Sequence, residues 1–204
     1  MMIKNILFTT LIISCAAIAM AQDDMLDTFS REIADNAGNI SSIHCSFVQT
    51  RSLSVLIDES KKTGTFYLVM PDKMLLSFDD GDMIKITGKR FELRNAGHVT
   101  ISFSSSSPVT QGIQTIITAC ITGNLNNLSK DFFIEPVASE SSWSVSIVPR
   151  RDKATALISR ITLVIDRKDM SLSSMTMEEP SGNLTTYNFF NKKFNTAIDA
   201  EIFD

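Results

Sequence analysis

Apolar residues change their spacing soon after the start of the chain. Across 25–39, Met25, Leu26, Phe29, Ile33 and Ala34 recur at helical intervals and predict an amphipathic helix. The period then drops to two. In Ile43-His44-Cys45-Ser46-Phe47-Val48-Gln49, the residues Ile43, Cys45 and Phe47 share one face, as in a strand lining a core. Further strands are predicted at 64–70, 74–78, 83–87 and 90–94. Pro71 stops the first because it cannot donate to a ladder. The cluster Asp79-Asp80-Gly81-Asp82 closes the second, and the last two form a hairpin around Gly88-Lys89. Successive strands joined by tight turns imply an antiparallel meander.

The sheet is then interrupted. Ile113, Ile116, Ile117, Cys120 and Ile121 fall at i, i+3, i+4, i+7 and i+8, a second amphipathic helix that Gly123-Asn124 can end. Strands resume at 132–137, 143–148, 158–165 and 172–177. A turn at 179–183 precedes a last strand over 184–190. Two substantial helices cannot cover both faces of so many strands. The sheet must curl, with the helices plugging its concave side and leaving an apolar cavity suited to a small molecule or acyl chain. The fold class is mainly β with α (α+β). No repeat, low-complexity tract or linker divides the chain, so one domain is expected over 22–204.

Residues 1–21 read as a signal peptide. Lys4 supplies the charge, Ile6 to Ile13 begin the apolar stretch, and Ala19-Met20-Ala21 fits small-x-small cleavage. The sequence Ile12-Ile13-Ser14-Cys15 also fits a lipobox, in which Cys15 would be acylated as an anchor. Ala16 to Ala19 prolong the apolar region past Cys15 and favour conventional cleavage and periplasmic release. No later apolar run approaches the roughly 20 residues that span a bilayer. After cleavage Cys45 and Cys120 remain, either paired in an oxidising compartment or buried as free thiols.

The chemistry-bearing residues are few. The full chain carries a net charge of −4 and has no basic patch, which argues against nucleic acid. His44 and His98 are the only histidines and have neither metal-ligand nor triad spacing. Asp79, Asp80 and Asp82 lack the spacing of a calcium loop and read as a solvated turn. Arg150-Arg151 and Arg167-Lys168 read as turn surfaces. Phosphate loops, Gly-x-Ser-x-Gly and zinc spacings are absent. No enzyme activity, metal or cofactor is expected.

Several segments resemble the outer-membrane lipoprotein carrier (LolA) family. A helix leads into Ile43 to Gln49, similar to the family's apolar-x-x-x-Phe-x-Gln first strand. Gly64-Thr65-Phe66-Tyr67-Leu68-Val69-Met70-Pro71-Asp72-Lys73 resembles its strand with a proline stop, and Gly88-Lys89-Arg90-Phe91 its hairpin. Val148-Pro149 is similar to its Leu-x-Pro signature. Ser181-Gly182-Asn183, Tyr187 to Asn191, Asn195, Ile198 and Phe203 are similar to its closing pattern. The resemblance covers nearly all of 25–204. It implies an unclosed antiparallel β half-barrel with a helical lid enclosing an apolar cavity. It also implies a monomeric periplasmic carrier of acylated lipoproteins or other lipid cargo, loaded by an inner-membrane ABC transporter and unloaded to an outer-membrane acceptor. An anchored outer-membrane acceptor and a lipid- or lipoprotein-sensing module are the alternatives on the same fold.

The residues expected to line the cavity are Phe47, Phe66, Leu68, Leu76, Phe78, Ile84 and Ile86. Those expected in the lid are Ile113, Ile116, Ile117 and Cys120. The chain departs from the resemblance at two places. Met70 stands where well-studied carriers place an arginine that bonds lid backbone and couples lid opening to release. At Phe203-Asp204 the sequence reaches the point where carriers usually add a short segment that assists outer-membrane selectivity in some members. At Met70 either another residue closes the lid or the lid is looser and the cargo is handled differently, and the resemblance leaves the hand-over step open.

Overall fold

The computed structural model describes residues 24–36, 39–55, 59–88, 90–95, 98–104, 128, 130–150 and 158–204, with the backbone alone for 98–104. The expected signal peptide, Cys15 and the four lid residues lie outside them. A helix, α1, spans 24–36. Eleven strands follow: β1 (Ser42–Ser52), β2 (Glu59–Val69), β3 (Lys73–Phe78), β4 (Met83–Thr87), β5 (Arg90–Asn95), β6 (His98–Ser104), β7 (Phe132–Ala138), β8 (Ser142–Pro149), β9 (Arg160–Asp166), β10 (Ser171–Glu178) and β11 (Leu184–Phe194). The strand β6 is additional to those predicted, although Val99, Ile101 and Phe103 alternate with polar residues along it.

All eleven form one antiparallel sheet in the order β6-β5-β4-β3-β2-β1-β11-β10-β9-β8-β7. Two meanders are thus joined along a central β1–β11 seam, and β6 and β7 stand at opposite edges. The sheet is unclosed. It is also strongly curled. Leu76 on β3 and Ile165 on β9 line one groove. In the sheet order those strands are five spacings apart, or about 24 Å across a flat sheet. Only a half-barrel brings them together.

Alternation selects the concave face. Ile43, Cys45 and Phe47 on β1, Phe66 and Leu68 on β2, and Met74, Leu76 and Phe78 on β3 are buried in one core with Val145, Ile147, Leu163 and Ile165 from the other meander. At the centre of the first meander Phe47 meets Phe78 edge-on, with ring centroids 5.0 Å apart.

Helix α1 closes part of the concave side. Its Phe29 and Ile33 are buried, and Phe29 packs on Trp143 of β8 at 5.3 Å. The Trp143 indole N–H donates to Glu32 Oε2 at 2.8 Å, and the Arg167 guanidinium reaches Glu32 Oε1 at 2.9 Å. The indole hydrogen bond holds the Glu32 carboxyl below its ordinary value of 4.5, against the opposing effect of desolvation and with further help from Arg167. A depressed folded value means that the carboxylate's contribution is complete above 4.5 and drains away as pH falls through the folded value. Glu32→Gln is expected to cost about 1 kcal/mol, kept small because solvent reaches both Glu32 and Arg167. Trp143 is the single tryptophan, so its fluorescence reads helix docking directly. An emission spectrum and acid profile unchanged in this variant would refute the latch.

The convex face has a smaller buried patch of its own. Leu75, Lys85, Glu92 and Phe203 are buried there, outside the concave core. Lys85 and Leu75 are cross-strand partners, as are Lys85 and Glu92. The segment after β11 covers this patch. Asn195, at φ 55, donates its backbone N–H to the Ser42 carbonyl, and its side-chain oxygen accepts from Ser41 N. The turn ends in a short 3-10 helix, Ala200–Phe203, beyond which Lys85 Nζ donates to the main-chain oxygen of Asp204 at 2.7 Å. Lys85 lies 3.9 Å from Glu92, which also accepts from Arg94 Nε, so the buried charges are mutually satisfied.

Candidate functional site

The concave face holds an apolar groove with about 840 Å³ of atom-free space, its open mouth included. One wall comes from the first meander: Ile43 on β1, Phe66 on β2 and Leu76 on β3. The other comes from the second: Leu163 and Ile165 on β9, Leu172 and Met175 on β10, and Phe189 on β11. Ile33 of α1 and Ile40 of the following link complete it. Met170, held at φ 50 in a backbone region that L residues rarely occupy, lines the groove at the β9–β10 turn. Among the described residues, Ser171 and Lys192 are the two polar ones on its surface.

The seven residues expected in a cavity divide. Phe66 and Leu76 line the groove. Phe47, Leu68, Phe78 and Ile86 are instead packed in the solid core, and Ile84 is half-buried against it. Phe47 is fully buried because Gly64, its cross-strand partner, leaves room for the ring. The groove therefore sits closer to the β1–β11 seam than the sequence expectation placed it. Ile113, Ile116, Ile117 and Cys120 lie outside the described residues. Met70 is half-buried against the core, with its backbone N–H bonded to the Ser41 carbonyl at 2.9 Å.

The C-terminal wall was missed, although its signal is ordinary alternation in Ile161, Leu163 and Ile165. Nothing local says that these strands face β2 and β3. That depends on the pairing of β11 with β1, from Ser52↔Leu184 to Ile43↔Phe194, far apart along the chain.

Cys45 carries a free thiol. Burial pushes it up to about 12, opposed by the nearby Lys192 charge, so it behaves as a small apolar group rather than a nucleophile. His44 stacks on Tyr67 at 4.7 Å. Lys62 reaches both Asp80, at 2.8 Å, and Asp82, which makes the acidic turn a salt-bridged corner. Among the described residues there is no group of three His, Cys, Asp or Glu side chains placed to hold a metal ion. No helix among them is long and apolar enough to cross a membrane. What the site can do is bury hydrocarbon.

The model of the outer membrane lipoprotein carrier protein LolA family matches residues 38–204, and the chain belongs to that family. Its family is one of lipid- and lipoprotein-binding carriers. No curated protein sequence matches it. Solved structures share the fold at low identity. A DUF1329 family protein from Desulfovibrio piger is 10% identical with TM-score 0.52, covering 90% of this chain and 97% of that one. The MucA/MucB complex of Pseudomonas aeruginosa contains a chain 13% identical with TM-score 0.53, covering 89% of this chain and 60% of that one. A LolA superfamily protein from Nitrosomonas europaea is 11% identical with TM-score 0.45, covering 86% and 97%.

Proposed function

We propose that this protein, freed of residues 1–21 by signal cleavage, is a single-domain periplasmic carrier. Its concave groove holds the acyl chains of lipoproteins or of another acylated envelope molecule. An inner-membrane ABC transporter loads it, and an outer-membrane acceptor relieves it of its cargo. The observation that carries this reading is the groove itself. It is walled by apolar side chains from both meanders, open at its mouth, and set in a fold whose family is described as a lipoprotein carrier.

The energetics suit a carrier. Each methylene moved from water into such a groove contributes about 0.8 kcal/mol. Several of them offset the cost of association without any specific polar contact. An apolar grip has no chemical trigger, so release requires the walls to separate. In the family resemblance that movement is coupled to an arginine; at Met70 the side chain has no equivalent donors.

The test is in-cell photo-crosslinking from a probe at position 76, with captured species identified by mass spectrometry. Adducts with many different acylated lipoproteins are expected. A single lipid species and no lipoprotein would make the protein a dedicated lipid carrier or sensor. An intact fold with no adduct would refute the groove as the cargo site.

A further inference from the structure

A bulge in β11 turns a cation into the apolar groove. Phe189 pairs with Phe47 and Phe194 with Ile43 across the seam, and both phenylalanines pack against the concave core. Their separation of five positions is odd, whereas residues on one face of a regular strand are an even number apart. The extra residue lies between the His44 and Ser46 pairings, where Cys45 alone opposes Asn191 and Lys192. Asn191 absorbs the bend at φ 56. Uninterrupted alternation from Phe189 would turn Lys192 to the convex side; with the bulge, Lys192 lines the groove.

Its ammonium is held by hydroxyls. Lys192 Nζ donates to Ser171 Oγ at 2.6 Å and to Ser173 Oγ at 3.4 Å, and Ser171 Oγ donates on to Asp169 Oδ1 at 2.5 Å. Among the described residues Lys192 forms no ion pair with a carboxylate. An ammonium has three donors, and two are engaged. The location is also particular. The β10–β11 pairing stops at Ser174↔Asn188, and Lys192 reaches across beyond that point. A mere brace there would be served as well by an apolar side chain, without the cost of a charge in an apolar wall.

We infer that Lys192 is the head-group anchor of this groove, and that the amphiphile it takes bears a carboxylate: a long-chain fatty acid. The inference rests on the groove's taking acyl chains and goes beyond the lipoprotein cargo proposed above, whose ester- and amide-linked chains have no free carboxylate, by assigning a free fatty acid as a further ligand. The chain lies along Phe66, Leu76 and Leu163 while the carboxylate accepts from Lys192 and remains near the mouth. The single Lys192 ammonium matches a monoanion, because Asp169 is exposed to solvent and set apart from it by the Ser171 hydroxyl. A phosphate monoester, at about −1.5 to −2, would be left undercompensated.

Displacement of an apolar fluorescent probe from the purified protein tests this, using palmitate, hexadecanol and hexadecyl phosphate as competitors of one chain length. Palmitate is expected to bind about tenfold more tightly than hexadecanol, through its charge-assisted hydrogen bond. Lys192→Met should bind the two equally, and Lys192→Arg should keep the preference. Equal binding by the native protein, or a preference retained in Lys192→Met, overturns the inference. Hexadecyl phosphate binding more tightly than palmitate overturns the carboxylate assignment. Displacement by none of the three would sink the acyl-groove reading itself, a failure distinct from loss of head-group preference alone.

Discussion

Gly64→Ala is expected to destabilise the protein by about 4 kcal/mol or more, placing it among the most damaging single substitutions available. An alanine Cβ at this position would lie 2.2 Å from the Ser77 carbonyl oxygen and 2.7 Å from Cζ of Phe47. The two obstacles differ in kind. The ring could turn aside, at the cost of its edge-on contact with Phe78. The carbonyl belongs to the β3 backbone, whose neighbour Phe78 is paired with Gly64 itself, so relief would require the β2–β3 ladder to shift. Urea unfolding of Gly64→Ala and of Gly64→Ala with Phe47→Ala separates these causes. The double variant is expected to be no more stable than the single one, because the carbonyl clash persists. A single variant with the native midpoint would contradict the packing described.

The same position illustrates how far the sequence could be read. The run from Gly64 to Phe78 is legible because its strands pair with their immediate neighbours: Phe66 sits against Leu76, and turn residues fix where each strand stops. Local alternation also placed Phe47 on the concave face. It could not say that Phe47 would fill the space over a glycine while Phe66, two residues along β2 from that glycine, would border open volume. Alternation names a face, whereas packing density on that face depends on what arrives opposite. Here the opposing wall is β9 to β11, brought round by the β1–β11 seam.

Two other features resisted reading for different reasons. Leu75 lies on the convex side, where an apolar residue looks anomalous until Phe203 and Asp204 are seen covering that face. Lys192 is hidden more deeply. A one-residue bulge at Asn191 reverses the parity of everything after it, so the strand was expected to end at 190 when it continues to Phe194. The most polar element of the groove is therefore one that uninterrupted alternation would turn to the convex side.

Leu76→Glu is expected to reduce acyl-chain affinity at neutral pH by about a hundredfold or more. Leu76 is buried in the groove wall, beside Phe66 and against the space that the cargo would fill. A carboxylate there must either keep its water, which excludes hydrocarbon from that stretch, or be buried unpaired. Excluding about four methylenes forfeits roughly 3 kcal/mol at 0.8 kcal/mol each, which is more than a hundredfold in Kd. The loss should also be reversible. Desolvation favours the neutral acid, so lowering the pH protonates Glu at position 76 and restores part of the affinity; Leu76→Gln provides a control with no such recovery. Circular dichroism with the Trp143 emission establishes that the sheet and the docked helix survive, because Trp143 lies on β8, at the far side of the core. Native affinity in a folded Leu76→Glu protein would remove the groove as the acyl site. A pH-independent loss in both variants would instead trace the defect to packing, and would leave the charge argument without support.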